Sequence, residues 1–388
     1  MVYKCCRPTP AAHVKTSLPK PGCKTTKTTS RTHHSSSCNT KVISAGLLIS
    51  DMKPNIFTMI QFLRYLIKTK PNLDSMFNDM WQDHVKSINA KDVKVSDSPR
   101  CVTFIHPGLP FWSFELDPRV PGLISMLRVC EDSLFFGVSQ PISDKKDETF
   151  LLILKLMEED YIPFHNAHEY TMTREMYDPD IPKWPLKVKL GYTGRHGPLV
   201  NLQLHFYSAE NDTLLMTRTQ NITFVNIKTR RLDDLPQWFA KALDGKETAQ
   251  KNVQIERMIK PDRTFTHKAT ILFTDTDTFQ HANYLTYVRF CQRAIRQAVT
   301  ENMRAKQQSG GASLRKSGCP VKITADVLKK GVKSAKIRYF KECTIGDEVV
   351  VHVWEEDDKP FWVFFSVESE TSNANILRCQ MSLEYFSK

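Results

Sequence analysis

The 388-residue chain has no run of 18 or more apolar residues, so nothing in it reads as a helix that spans a bilayer. It has no C-x-x-C pair. Its ten cysteines, at 5, 6, 23, 38, 101, 130, 291, 319, 343 and 379, form no Cys/His cluster with zinc spacing. That argues against a structural metal and for reduced thiols, several of them core fillers. There is no G-x-G-x-x-G and no P-loop, which removes the nucleotide-binding readings. There is no G-x-S-x-G, which removes the serine-hydrolase elbow.

Acid is also missing from residues 1–50, which hold eight basic residues: Lys4, Arg7, Lys15, Lys20, Lys24, Lys27, Arg31 and Lys41. The formal charge of the chain is +12. Taking those eight from 54 Lys and Arg leaves 46 basic residues against 42 acidic, so the body is nearly balanced. The excess belongs to a tail, and a nucleic-acid groove is a poor reading. Rich in Ser, Thr, Lys and Pro, the tail reads as a disordered cytosolic extension or a mitochondrial transit segment. No apolar core segment follows Met1–Cys6, so a secretory signal is not expected, and the sequons at Asn211 and Asn221 carry no weight.

The remainder follows two parallel patterns. Residues 51–99 read as a helical extension: a short apolar helix over 56–67 and an amphipathic one over 74–88. The first of these packs on the body, at an oligomer contact or on a membrane surface. Residues 100–236 read as strands at 102–105, 111–116, 150–157, 186–192, 200–206 and 214–225, with a helix over 121–136. His165 and His168 fall in what reads as a loop, where histidines are ordinarily polar surface. A polar helix to about residue 249 opens a linker over 237–264. Residues 265–388 repeat the order: a strand at 266–273, a helix to about 303 with Tyr284, Tyr287, Val288, Cys291, Ile295 and Ala298 on one stripe, a loop at 307–318, then strands at 323–328, 333–341, 348–354, 361–368 and 375–386. The expected class is α+β, a duplicated unit in which an antiparallel sheet curls around one long helix.

Between the second unit's first strand and its helix lies TDTDTFQHANY, residues 274–284. Carboxylates and an imidazole at a helix N-terminus, where N–H groups are free, suit polarisation of a carbonyl and activation of water, with no metal or cofactor. Asp277, Thr278 and Asn283 are also ordinary capping residues. The residues alone leave both readings open.

The spacing D-x-D-x-x-Q-H-x-N-x-x-x-Y, as Asp275, Asp277, Gln280, His281, Asn283 and Tyr287, resembles the signature of hotdog-fold thioesterases. It is most similar to the fatty acyl-ACP thioesterases, which have two tandem hotdog units with the active-site motif in the second. Tyr339, Glu342, Cys343 and Asp347 resemble a second motif of that family, Y-x-x-E-C-x-x-x-D. The resemblance implies two tandem hotdog units forming an intrachain pseudo-dimer, which a homo-oligomer could extend. It also implies hydrolysis of acyl-CoA or acyl-ACP thioesters, with Asp277, His281 and Glu342 catalytic. Glu342 would activate water, Asp277 would position or share in that role, and His281 would orient the substrate. Asn283, Phe279, Tyr287 and Cys343 would line the substrate, with the acyl chain along the helix–sheet seam near Tyr287 and Cys291. Asp275 would fix the loop.

Three positions depart from the family pattern. Phe279 and Tyr284 stand where it has asparagine, and Gln292 where an acid is common. Losing one carbonyl-polarising amide can cost roughly 10²–10³ in rate. The first unit keeps Asp117 but has Pro121 in place of histidine and no following asparagine, so it reads as a scaffold. A non-catalytic acyl-binding protein and a hotdog dehydratase are the rival readings on the same fold.

Overall fold

The computed structural model describes residues 83–110, 113–114, 121–143, 148–226, 228–229, 234–248, 253–277, 281–308, 321–371 and 374–387. The basic tail, the expected helix over 56–67, Asp117 and Phe279 lie outside the described residues.

Among the described residues, eleven antiparallel strands form one sheet. They are β1 (Lys91–Asp97), β2 (Arg100–His106), β3 (Tyr161–Met172), β4 (Leu186–His196), β5 (Leu199–Ser208), β6 (Leu214–Asn226), β7 (Phe265–Thr270), β8 (Val332–Tyr339), β9 (Glu348–Trp354), β10 (Trp362–Thr371) and β11 (Ala374–Tyr385). Their order is β1-β2-β4-β5-β6-β3-β8-β11-β10-β9-β7. The helices are α1 (Leu123–Val138), α2 (Ile153–Glu158), α3 (Gln237–Leu243), α4 (Tyr284–Gln308) and α5 (Ala325–Leu328). On either side of the β3–β8 junction the connectivity is the same. A strand (β2 or β7) leads to a helix (α1 or α4), then to the junction strand (β3 or β8), then to three strands that fill the gap between.

The period-2 pattern of the strands decides which face the helices cover. One row of cross-strand neighbours runs Phe265, Val353, Phe365, Met381, Ile337, His168, Gln220, Leu202, Tyr192. Every member is buried. The next row runs Val363, Leu383, Ala335, Tyr170, Arg218, Leu204, Leu190, Val102, also buried throughout. Both rows are mostly apolar at their flanks; their polar members are His168 and Tyr170 on β3, Gln220 and Arg218 on β6, and Tyr192 on β4. Against the second half, α4 lays down Val288, Cys291, Ala294, Ile295 and Ala298, all fully buried at helical spacing. Burying each larger member contributes about 1.5–3 kcal/mol.

The opposite face of the sheet carries the linker. Residues 253–264 cross it without regular structure, and side chains of successive strands hold them. Asn221 on β6 bonds the backbone of Val253 in both directions. Arg338 on β8 donates to the Ile255 carbonyl, Gln380 on β11 bonds Met258 twice, and Glu368 on β10 pairs with Lys260 at 2.8 Å. With its amide engaged there, Asn221 is a structural residue.

Several expectations need correction. The run at 150–157 is not a strand. Phe150 and Leu151 are buried at a turn, and α2 follows. Residues 325–328 of the expected strand at 323–328 form the turn of helix α5. In both places a short apolar run fits helix and strand equally well. β1, rich in Lys and Asp, was not expected; it pairs with β2 as an edge strand. The helix of the linker ends at Leu243 rather than near 249. β3 is a central strand, not a loop; His168 on it is fully buried, which overturns its reading as surface, and His165 is half-buried. Interior-facing His and Tyr erased the hydrophobic alternation by which such a strand is recognised.

Candidate functional site

Two short segments meet at the start of α4. The first leaves β7 through the turn Phe273–Asp275. Asp275 is buried and ties the segment together. Its carboxylate accepts from Leu272 N–H and pairs with Arg289, and its carbonyl accepts from Asn283 N–H and the Thr286 hydroxyl. Asp277 and His281 then bond each other. Asp277 N–H donates to the His281 carbonyl at 2.9 Å, and His281 N–H donates back to Asp277 Oδ1 at 3.4 Å. Asn283 caps α4, its Oδ1 accepting from Leu285 N–H at 2.9 Å. Its carbonyl accepts from Thr286 N–H at 2.8 Å. The first turn is thus less open to a substrate oxygen than a bare helix N-terminus.

The second segment follows β8. It bridges to the first where His281 faces Thr344, and Ala282 N–H donates to the Cys343 carbonyl at 2.8 Å. Asp347 accepts from Thr344 N–H, and Arg378 holds the Glu342 carbonyl. These bonds fix Glu342 opposite His281, with Glu342 Oε2 at 3.4 Å from His281 Nδ1. The His281 side chain is 9% exposed and that of Glu342 27%, so both are screened from bulk water yet reachable.

Burial raises the Glu342 carboxyl above the ordinary glutamate range. The His281 ring pulls it down, the Asp277 charge pushes it up, and Arg378 pulls it down. The net direction is upward, toward the pH where a carboxylate serves best as a general base. Asp277 itself is exposed at the rim. Cys343 is fully buried, and its backbone N–H donates to the Tyr287 hydroxyl at 3.0 Å. Burial pushes its thiol up, so at neutral pH it is a protonated core thiol beside Tyr287 rather than a thiolate. Tyr287 and Cys291 are both buried in the core. Among the described residues, no group of three or more His, Cys, Asp or Glu side chains is placed to hold a metal ion.

The structure therefore brings His281 and Glu342 together and sets Asp277 beside them. It uses Asn283 as a cap and keeps Tyr287 and Cys343 inside. Arg378 escaped the sequence reading, because nothing in its strand pattern sets it apart.

No family model and no curated protein matches the sequence. Solved structures do match. An acyl-ACP thioesterase from Bacteroides thetaiotaomicron superposes with a TM-score of 0.52 over 74% of this chain and 98% of its own, at 10% identity. A 12:0-ACP thioesterase from Umbellularia californica gives 0.50 over 74% and 98%, at 12% identity. The chain has the hotdog fold. At such identity the likeness is one of architecture. It means that the paired segments at the start of α4 belong to a hotdog framework, with α4 as a central helix. Among the described residues no helix is long and apolar enough to cross a membrane.

Proposed function

We propose that this chain hydrolyses acyl-CoA or acyl-ACP thioesters, with two tandem hotdog units over 100–236 and 265–388 and one working site in the second. The observation that carries the reading is the pair of His281 and Glu342, 3.4 Å apart on two segments locked together by backbone bonds. The Glu342 carboxylate takes a proton from water, and the water oxygen attacks the thioester carbonyl carbon. His281, with Nδ1 toward Glu342, offers Nε2 to the carbonyl oxygen. When the C–S bond breaks, the proton held by Glu342 passes to the departing sulfur, giving free acid and thiol. Asp277 keeps the His281 loop closed and raises the basicity of Glu342.

A second reading, an acyl-thioester-binding protein without turnover, is favoured by Phe279 in place of a polarising amide. The deciding experiment is thiol release from a panel of acyl-CoAs and acyl-ACPs by the full chain, beside Glu342→Gln and Asp277→Asn. Turnover that falls about 10²–10⁴-fold in Glu342→Gln, and less in Asp277→Asn, supports hydrolysis. Binding without turnover on every substrate supports the second reading.

A further inference from the structure

Two directions lead away from the His281–Glu342 pair. Outward, the rim carries the exposed apolar side chains of Leu272, Phe273 and Ile345. Inward, past Tyr284 and Tyr339, lies the junction of β3 with β8, and there the lining is polar. Arg218 of β6 is fully buried and ion-paired with Glu131 of α1. Its Nη2 lies 3.4 Å from His168 Nε2, which is 3.0 Å from His165 Nδ1. The Tyr170 hydroxyl is 3.2 Å from His168 Nδ1. Tyr284, the first residue of α4, sets its ring 4.9 Å from that of His165, and Tyr339 lies 5.5 Å from His168.

The network is continuous with the candidate site. The Tyr339 ring lies 6.0 Å from that of Tyr287, whose hydroxyl accepts from the backbone N–H next to Glu342. Tyr339 is three residues before Glu342, a reach of at most ~10 Å along the chain. It also contains unspent hydrogen-bonding capacity. Arg218 Nε and the Tyr339 hydroxyl are buried without a partner among the described residues. A saturated chain entering here would leave both unpaired, and an oxygen would pair with them. The cluster carries little net charge. Glu131 offsets Arg218, and burial, reinforced by Arg218, holds His168 well below the ordinary histidine range. A neutral group fits better than a carboxylate.

We propose that the acyl group this site accepts carries a neutral oxygen, hydroxyl or carbonyl, several carbons from the thioester, and that Tyr339 and Arg218 read that oxygen at the β3–β8 junction. The proposal rests on the thioesterase reading above and names its substrate class. A site built to hydrogen-bond a substrate oxygen discriminates strongly against the analogue that lacks it.

The test compares ω-hydroxyoctanoyl-CoA with octanoyl-CoA and dodecanoyl-CoA by thiol release, for the full chain and for Tyr339→Phe. Binding of the matching non-cleavable thioether analogues is measured by calorimetry. The hydroxylated substrate is expected to lead by about tenfold or more in kcat/KM. Tyr339→Phe, which removes only an unpaired hydroxyl, is expected to melt no lower than the wild type and to bring that ratio close to one. Octanoyl-CoA or dodecanoyl-CoA cleaved as fast as the hydroxylated substrate overturns the proposal, as does an unchanged ratio in Tyr339→Phe. If no thioester is cleaved, the hydrolase reading fails and the thioethers decide. Tighter binding of the hydroxylated one, lost in Tyr339→Phe, supports an oxygen-reading pocket. Equal binding, or none, removes it.

Discussion

The two long helices put their polar groups in opposite places. α4 is polar where it begins, with Asp275, Asp277, His281 and Asn283 ahead of or at its first turn, and apolar along its buried stripe. α1 begins at Gly122 with no side-chain cap and no acid in its first turn, and carries Glu131 buried in its body. An isolated antiparallel bridge precedes each helix, Thr276 with Ala282 in one and Phe114 with Pro121 in the other. A polar group at a helix start meets free N–H groups and partial solvent, so it is cheap and accessible. In the body of a helix it is desolvated and must be paired. That difference makes one end a candidate for chemistry and the other a fixed internal network.

The largest expected effect strikes the network. Arg218→Met leaves the buried Glu131 beside His165 without its arginine and should destabilise the fold by about 3–5 kcal/mol in denaturant titration. Adding Glu131→Leu should recover most of that loss. If the double variant is no better than the single one, the pair is not what balances α1. Next is His281→Ala, expected to lower kcat by roughly 10²–10³ in the thiol-release assay with the melting temperature little changed. Pro121→Ala, at the buried position before α1 in the first half, should leave kcat within about twofold, since proline has no group that can donate or take a proton there. Equal rate losses in both would erase the functional contrast between the two starts.

A smaller effect belongs to the cap. Asn283→Ala should cost about 1 kcal/mol of stability through the lost bond to Leu285 N–H. The smallest is a pH effect. Glu342 holds its proton more tightly folded than unfolded, because burial disfavours its charge. The folded state therefore binds more protons between the ordinary glutamate pKa and the raised one. The stability it contributes is fully present below that window and is lost as pH rises through it. Glu342→Gln should gain in melting temperature over wild type as pH climbs across the window. A constant difference would mean that the carboxyl is not perturbed. Activity that uses the carboxylate as base falls as pH drops through the same range.

Much of the frame was legible. β2, β4, β5, β6, β8, β9, β10 and β11 announce themselves by period-2 alternation, and α1 and α4 by 3.6-residue spacing. The D-x-D-x-x-Q-H-x-N and E-C segments could be picked out as chemistry-bearing from residue type and spacing. Besides the charged edge strand β1, two kinds of element stayed hidden. α2 sits in a short apolar run, which two structures fit equally. β3 faces the interior with His and Tyr, so its strongest signal was missing. Read locally, its histidines look like surface groups, because their charged partners do not stand near them in the sequence. Their partners, Glu131 and Arg218, lie on another helix and another strand.

Local periodicity therefore determined by itself most of the strands and the two long helices, and the short motif determined where acids and imidazole gather. Those depend on neighbours within a few residues. Tertiary structure alone decided that His281 stands 3.4 Å from Glu342, 61 positions apart in the sequence, and that the β3–β8 junction is polar rather than greasy. Both follow from strand register and segment pairing, which are set by the packing of the whole sheet against two helices and by no stretch of sequence alone.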